Sequence, residues 1–211
     1  MPIFFQLQVN EHTRLGIWKI EETEAFFKGN VSVHRDVTHP HKRLQHLAGR
    51  FLLQYLYPDF PYELIQIADT RKPFLSDEQY HFSISHCGDY AAAIVSKKDR
   101  VGIDIEIPVE KITKIMHKFL TAKEHANFNL IAGAEMSDNK NNYDITTILW
   151  SAKEAIFKWY SLGNVDFRKD IQLETLNTNE NSINAFFASN KTNLTVQYKQ
   201  FDGLVLAWVF N

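Results

Sequence analysis

Apolar and polar residues alternate most clearly between residues 101 and 110. Every second position is apolar, namely Val101, Ile103, Ile105, Ile107 and Val109. Because successive side chains of a strand point to opposite faces, this period of two predicts a half-buried β-strand. Asp104 and Glu106 then share the other face, with their Cα atoms roughly 7 Å apart. The predicted strand therefore aligns two carboxylates on one side.

The segment 39–60 has the longer period of an α-helix. Its apolar positions are Leu44, Leu47, Ala48, Phe51, Leu52 and Tyr55. They form one stripe of an amphipathic helix, which Pro58 is expected to end. The opposite face carries four basic or imidazole side chains, Lys42, Arg43, His46 and Arg50. They fit either a solvated surface or one side of an anion-binding site.

Turn and cap signals organise the rest of the chain. Residues 81–106 are predicted to form three antiparallel strands joined by a glycine-containing turn and an Asp-Arg turn. Thr121 followed by Glu124 is a capping-box pattern, which predicts a helix start. The polar segment 133–146 is expected to be a surface loop, and 146–163 a helix that a glycine ends. Further strands are predicted within 171–176, 183–189, 193–201 and 204–210.

Composition narrows the class of protein. The chain has 211 residues, 45% of them hydrophobic, which suits one well-packed domain or two small ones. Its 23 basic and 25 acidic residues give a formal charge of -2, so we expect neither a nucleic-acid partner nor a membrane surface. The single cysteine, Cys87, cannot form an internal disulfide, and we find no export or anchoring segment, so a cytoplasmic protein is expected.

Two pairs of charged side chains are candidates for chemistry, Asp104 with Glu106 and Glu154 with Lys158, although each has an ordinary explanation. An Asp-x-Glu on a strand is usually a charged outer face. Glu154 and Lys158 have the i,i+4 spacing of a common surface ion pair, which contributes about 0.3 kcal/mol. However, aromatic residues flank this second pair, and an ion pair walled by aromatic rings is more often functional than a fully solvated one.

Two further positions are ambiguous when taken alone. His86 falls where a predicted strand meets a glycine turn, so it fits either a turn cap or a ligand contact. Arg71 and Lys72 precede a proline, and a solvated loop explains them equally well.

Five segments, taken together, give a specific resemblance. In chain order they are "RKPFL", "FSISHCGDYAAAIVS", "VGIDIE", "FLTAKE" and "WSAKEAIFK". This series closely resembles the motifs of 4'-phosphopantetheinyl transferases, in particular the double-length, surfactin-synthetase-type subfamily. The resemblance implies an α+β fold with two pseudo-symmetric halves, residues 1–100 and 101–211. Each half would be a small antiparallel sheet packed with a long helix, with the active site in the cleft between them.

The resemblance also implies a reaction. Such enzymes move the phosphopantetheine arm of coenzyme A to a serine of an apo acyl or peptidyl carrier protein, which leaves adenosine 3',5'-bisphosphate. By resemblance, Asp104, Glu106 and Glu154 would hold a magnesium ion, since Mg²⁺ prefers carboxylate and phosphate oxygens. Glu154 would also take the serine proton, and Lys158 would neutralise the departing phosphate. We expect a monomer, with coenzyme A and the carrier as its partners.

Coenzyme binding is assigned in the same way. His86, Lys72 and Ser85 would contact phosphate, together with Arg50 and Lys42 or Arg43 from the basic helix face. Arg71 replaces the usual glycine and would add a phosphate contact or alter the adenine pocket, and Lys153 would support phosphate or structure. Two alternatives stay open: a metal-dependent phosphoester hydrolase, and a non-catalytic carrier-binding protein on the same fold.

Overall fold

A computed structural model describes residues 3–31, 37–69, 72–131 and 139–211. The chain forms two compact units, Met1–Ile105 and Glu106–Asn211. None of the described helices combines the length and hydropathy needed to cross a membrane.

The first unit is built on a four-stranded antiparallel sheet. In chain order the unit contains β1 (Ile3–Gln8), β2 (Thr13–Lys19), α1 (Glu24–Lys28), α2 (Pro40–Leu56), β3 (Gln66–Ile67), β4 (Pro73–Phe74), β5 (His81–Cys87) and β6 (Tyr90–Ser96). A 3-10 turn spans Tyr62–Leu64. The sheet has the order β1-β2-β6-β5, and β3 pairs with β4 separately.

Helix α2 confirms the predicted apolar stripe. It begins at Pro40, where the His39 ring accepts a hydrogen bond from the Lys42 N–H, and it ends at Leu56, just before Pro58. Its buried side chains pack on the sheet and include Leu47, Ala48, Leu52, Leu53 and Leu56. Each fully buried leucine contributes about 1.5–3 kcal/mol, so this face holds the helix in place.

Strand β7 (Val101–Glu106) corrects two predictions. The first is that it would be half-buried: every residue from Val101 to Ile105 is buried, and Asp104 is only 2% exposed. The second is that it would follow β6 in one sheet. Strand β6 already lies between β2 and β5, so β7 is outside that four-stranded sheet. The polar residues of β7 were therefore mistaken for a solvent face.

The second unit contains a β-meander and the longest helix. Its elements are α3 (Glu110–Lys114), α4 (Ala122–Ile131), α5 (Asn139–Tyr160), β8 (Ile171–Asn177), β9 (Ser182–Phe187), β10 (Thr192–Phe201) and β11 (Leu204–Phe210). A 3-10 turn spans Met116–Lys118. The four strands predicted from apolar runs are present, and β8 to β11 pair as antiparallel neighbours in chain order. Helix α5 packs mainly on β11.

Helix α5 is longer than the sequence predicted. It begins at Asn139, so residues 139–146 of the expected loop are helical, and the earlier part of that loop lies outside the described residues. Ile145, Ile148 and Leu149 extend the apolar stripe upstream and pack into the unit's core. The helix ends at Tyr160, three residues before the predicted stop at Gly163, and Ser161 and Gly163 both adopt a positive φ, of 72° and 73°.

Candidate active site

Asp104 is held inside the first unit by a hydroxyl of strand β5. Ser85 Oγ donates a hydrogen bond to Asp104 Oδ1 at 2.9 Å. Two residues earlier on the same strand face, Ser83 Oγ accepts a hydrogen bond from the Ile103 N–H at 3.2 Å. The Ser-x-Ser spacing therefore presents two hydroxyls to β7. A serine hydroxyl has a single proton, which Ser85 donates to Asp104 in this arrangement, and its expected contact with coenzyme A stays a prediction.

Glu106 follows Asp104 on the same strand face and is partly buried. Carboxylate oxygens are the protein ligands that Mg²⁺ prefers, so the chemistry of this pair fits the expected ion. Among the described residues, no group of three His, Cys, Asp or Glu side chains is already gathered to hold a metal ion. Magnesium binding by Asp104 and Glu106 stays a prediction.

Glu154 and Lys158 lie one turn apart on α5, and both side chains are partly buried. Trp150 and Phe157 lie on the same side of the helix, at i−4 and i+3 from Glu154. The candidate base and the candidate cation are therefore fixed on one helix face beside aromatic rings.

Those aromatic rings line an open groove of about 820 Å³ in the second unit. Its lining residues are Ile115, Lys118, Phe119, Trp150, Phe157, Asn164, Val165, Asp166, Phe167 and Arg168. Phe167 stacks on Trp150 with centroids 5.7 Å apart, and it lies 5.5 Å from Phe157. Phe119 meets Trp150 edge-on at 4.9 Å. The groove has an apolar floor with charged groups at its rim.

Lys153 points away from this face. Its Nζ lies 2.7 Å from Glu124 Oε1 and also donates to the Phe167 and Ile171 carbonyl oxygens at 2.8 and 2.7 Å. An ammonium has three protons, so all of its donors are used inside the unit. Burial lowers the pKa of Lys153, while Glu124 opposes that shift. The expected phosphate contact does not fit this geometry, and the contacts favour the structural alternative.

Glu124 links the predicted capping box to this lysine. Glu124 Oε2 accepts hydrogen bonds from the N–H and hydroxyl of Thr121 at 2.7 and 2.8 Å, and Thr121 Oγ1 accepts from the Glu124 N–H. The other carboxylate oxygen accepts from Lys153 and from the Leu173 N–H. The capping box was predicted from sequence, but this second use of Glu124 was not.

The coenzyme-binding candidates of α2 differ in their contacts. Arg43 forms a fork on Glu24, with both nitrogen–oxygen distances 2.8 Å, and also donates to the Val37 carbonyl oxygen. Lys42 is exposed, whereas Arg50 is half-buried with its Nη1 enclosed and without a hydrogen-bond partner among the described residues. Arg50 is therefore better placed than Arg43 to receive an anion.

The remaining candidates lie in or near β5. His86 is partly buried, and its ring lies 5.2 Å from the ring of His46 on α2. Lys72 is partly buried just before β4. Arg71 lies outside the described residues. Sequence reasoning placed His46 on the basic helix face but did not assign it to the site.

The protein is of the mixed class in which helices pack on antiparallel sheets, and sequence comparison identifies its family. The 4'-phosphopantetheinyl transferase superfamily matches residues 100–209, slightly more than half of the chain. The chain therefore belongs to this superfamily. Asp104, Glu106, Glu154 and Lys158 all fall within the matched region.

Three relatives illustrate the similarity. Enterobactin synthase component D of Shigella flexneri is 31% identical over 121 residues, which are 56% of this chain and 54% of the relative. L-aminoadipate-semialdehyde dehydrogenase-phosphopantetheinyl transferase of Xenopus laevis is 30% identical over 135 residues, 56% of this chain and 43% of the relative. The 4'-phosphopantetheinyl transferase AcpT of Salmonella typhimurium is 28% identical over 121 residues, 56% and 58% of the two chains. The chain spans about half the length of these curated relatives.

Proposed function

We propose that this protein transfers the 4'-phosphopantetheine arm of coenzyme A to a serine of an apo carrier protein. The observation that carries the proposal is the placement of Glu154 and Lys158 one turn apart beside the aromatic groove, in a chain of this superfamily. The names of two relatives include phosphopantetheinyl transferase, and a third is a synthase component for enterobactin. The carriers would serve fatty-acid, polyketide or peptide synthesis in the cytoplasm.

The chemistry is a displacement at phosphorus. The carrier serine oxygen forms a bond to the phosphorus that bears pantetheine, and the bond from that phosphorus to the adenosine 5'-phosphate oxygen breaks. Glu154 takes the serine proton, directly or through a water, and Lys158 offsets the charge that appears on the leaving phosphate. Adenosine 3',5'-bisphosphate leaves, so atoms and charge balance.

The three carboxylates would bind the metal ion, and one of them, that of Glu154, would also accept the serine proton. Asp104, Glu106 and Glu154 would hold Mg²⁺, which supplies charge neutralisation on the diphosphate. Ser85 supports this role because its hydroxyl fixes the orientation of Asp104.

The groove is proposed to take the pantetheine arm. This arm is a long chain of methylene, methyl and amide groups, and it must pass the base when its phosphate is attacked. Trp150 and Phe157 flank Glu154 along α5 and offer an apolar wall for such a chain. In this proposal the arm would run along the groove, and the reacting phosphate would lie next to it at Glu154.

The proposal includes the double-length organisation, in which residues 1–100 and 101–211 are pseudo-symmetric halves that build one site in a cleft. Its support is that each unit pairs a long helix, α2 or α5, with an antiparallel sheet. Coenzyme contacts would come from His86, Lys72 and Arg50.

The test is a mass-shift assay. Purified protein is incubated with Mg²⁺, coenzyme A and a panel of apo carrier proteins, and the intact mass of each carrier is measured. We expect at least one carrier to gain one phosphopantetheine. Glu154→Gln should still bind coenzyme A while its turnover falls by about 100-fold or more. Glu174→Gln, an exposed acid on β8, is the matched control and should keep full turnover.

Two results would overturn the proposal. Carriers of unchanged mass together with hydrolysis of phosphodiesters would identify a hydrolase. Binding of coenzyme A and carrier without transfer, in the unmutated protein, would identify a non-catalytic binding protein.

A further inference from the structure

The buried ion pair of Glu124 and Lys153 connects several elements of the second unit. Glu124 Oε1 accepts hydrogen bonds from Lys153 Nζ and from the Leu173 N–H, at 2.7 and 2.9 Å. The lysine also donates to the Phe167 and Ile171 carbonyl oxygens. The pair therefore joins α4 and α5 to the start of β8 and to the connection before it. Neither side chain has a role in the proposed reaction.

The connection between α5 and β8, residues 161–170, contains neither helix nor strand. Three residues of its first half have a positive φ. In its second half, the Asp166 carboxylate accepts hydrogen bonds from two N–H groups of the turn that follows, at 2.9 and 3.1 Å. These bonds are local, whereas Lys153 Nζ reaches from α5 to the Phe167 carbonyl oxygen, at 2.8 Å. The lysine thus fixes the turn to the long helix.

Phe167 links this anchor to the groove. Its carbonyl oxygen is held by Lys153, while its ring stacks on Trp150 with centroids 5.7 Å apart and lies 5.5 Å from the ring of Phe157. Five of the ten residues that line the groove, 164 to 168, belong to the same connection. The position of this wall therefore depends on a donor inside the unit.

A second ring of the groove is tied to the same ion pair. Phe119 meets Trp150 edge-on, with centroids 4.9 Å apart. Two residues later, the N–H and the hydroxyl of Thr121 both donate to Glu124 Oε2. Glu124 thus binds Thr121 with one oxygen and Lys153 with the other. Two rings in contact with Trp150 are therefore connected through one buried pair.

We propose that Lys153 is a positioning residue for the transfer reaction, which fixes the Phe167 wall and thereby sets the width of the groove. The inference rests on the proposed function, since the pantetheine arm would lie in this groove. A charged donor holds a carbonyl oxygen more firmly than a neutral donor does. The spacing matters because a gap of about 0.5–1 Å already forfeits a quarter to a half of a dispersion contact. Lys153 therefore acts on the affinity for the arm without touching it.

The test is calorimetric binding of coenzyme A and of adenosine 3',5'-bisphosphate, which lacks the arm. The variant is Glu124→Gln/Lys153→Met, because glutamine can still cap α4 with Thr121 and methionine fills much of the buried volume without a charge. We expect its affinity for coenzyme A to fall by about 3- to 10-fold, the range for a displaced aromatic contact, and its affinity for the bisphosphate to be unchanged. All measurements are made well below the unfolding midpoint of each protein.

A second background identifies the route. In Phe167→Ala the wall is already lost, so adding Glu124→Gln/Lys153→Met should lower the affinity for coenzyme A by less than about 2-fold more. The control is Glu110→Gln/Lys114→Met, which removes an exposed ion pair of the same unit and should change neither affinity.

The outcomes separate the two proposals. If the unmutated protein fails to bind coenzyme A, the proposed function is wrong and the positioning role falls with it. If it binds coenzyme A but the buried-pair variant weakens both ligands equally, Lys153 acts on the phosphates or on the whole unit, not on the groove. Unchanged affinity for coenzyme A, or a full further loss in the Phe167→Ala background, would also overturn the positioning role while leaving the proposed function intact.

Discussion

Lys153 Nζ and Glu124 Oε1 lie 2.7 Å apart in a fully enclosed ion pair: the lysine side chain is 0% exposed and the glutamate side chain 5%. Lys153 is the neighbour of Glu154, yet the two side chains project about 100° apart around the helix. Lys153 thus anchors α5 in the interior of the unit, while Glu154 lies on the helix face beside the groove.

Breaking this ion pair should destabilise the second unit strongly. Lys153→Met leaves the Glu124 carboxylate buried without its cation, which costs about 3–5 kcal/mol. The double variant Glu124→Gln/Lys153→Met removes both charges and should be less destabilised than the single variant. Urea unfolding measures both. Lys169→Met, whose side chain is 83% exposed, is the control and should cost less than about 0.5 kcal/mol. A single variant as stable as that control would contradict the structural role of Lys153.

Phe167→Ala should open one wall of the groove. The ring stacks on Trp150 and contacts Phe157, so its loss removes apolar surface from the proposed pantetheine path. A loss of about 1–2 kcal/mol corresponds to a 5- to 30-fold rise in KM for coenzyme A. Inhibition by adenosine 3',5'-bisphosphate, which has no pantetheine, should be unchanged. Phe201→Ala, on β10 and outside the groove lining, serves as the control. Equal weakening of both ligands would argue against a pantetheine groove.

Ser85→Ala should raise the magnesium concentration needed for half-maximal transfer. The variant loses the 2.9 Å hydrogen bond that orients Asp104, and loss of such a supporting contact typically weakens metal binding by about 10- to 100-fold. Ser85→Thr keeps the hydroxyl and should restore the normal requirement. Ser83→Ala, which loses only the contact with the Ile103 N–H, should affect stability more than magnesium dependence. If Ser85→Ala needs the same magnesium concentration as the unmutated protein, Ser85 does not support metal binding by Asp104.

Gly49→Ala should be unusually costly for an alanine in a helix. Alanine normally favours a helix by up to about 1 kcal/mol over glycine, but here the new Cβ would lie 2.6 Å from Ile84 Cγ2. Overpacking of this kind costs about 1–3 kcal/mol. At Gly29 the nearest atoms to a new Cβ are 3.5 and 3.6 Å away, so Gly29→Ala should be neutral or slightly stabilising. Thermal unfolding of both variants tests the close approach of α2 to β5.

Glu24 should make the first unit sensitive to acid. Hydrogen bonds from Arg43, and then from Lys28, lower the pKa of Glu24 from 4.5 to about 2. Because the folded-state pKa is depressed, the stabilisation is complete above pH 4.5 and is lost as the pH falls towards 2. Between pH 4.5 and pH 2, the unfolding midpoint of Glu24→Gln should fall less than that of the unmutated protein. Glu180→Gln, on an exposed turn, should retain the decline of the unmutated protein.

Local patterns predicted much of this fold. The stripe of α2, the Thr121–Glu124 cap and the four final strands each depend on residues near one another in sequence. The start of α5 at Asn139 was missed because its first turns are rich in asparagine, a weak helix former. The opening strands β1 and β2 were also not assigned, because Phe4 interrupts the alternation of apolar Ile3, Phe5 and Leu7 with polar residues.

The site was less predictable because its contacts are distant in sequence. Asp104 looks solvent-facing in an alternating strand, whereas it is buried and bonded to Ser85, nineteen positions earlier, which the local pattern does not show. Lys153 depends on Glu124 and on two backbone carbonyl groups, which every residue carries and which therefore leave no sequence signal. Phe167 lines the groove, but no sequence motif marks it as a groove residue. Side-chain types suggested the chemistry, whereas nonlocal packing determined which groups are used.

Because Lys153 is enclosed, the rate of its chemical modification can be used to measure local opening of the second unit. Amine-reactive acylating reagents need an exposed, deprotonated ε-amino group, and in the native state this one is shielded and bonded on all three protons. Acylation of Lys153 can proceed only during openings of the second unit, so its rate relative to exposed Lys169 reports the free energy of the openings that expose Lys153. The amine that stabilises the second unit is thus also the group whose rate of modification measures how often that unit opens.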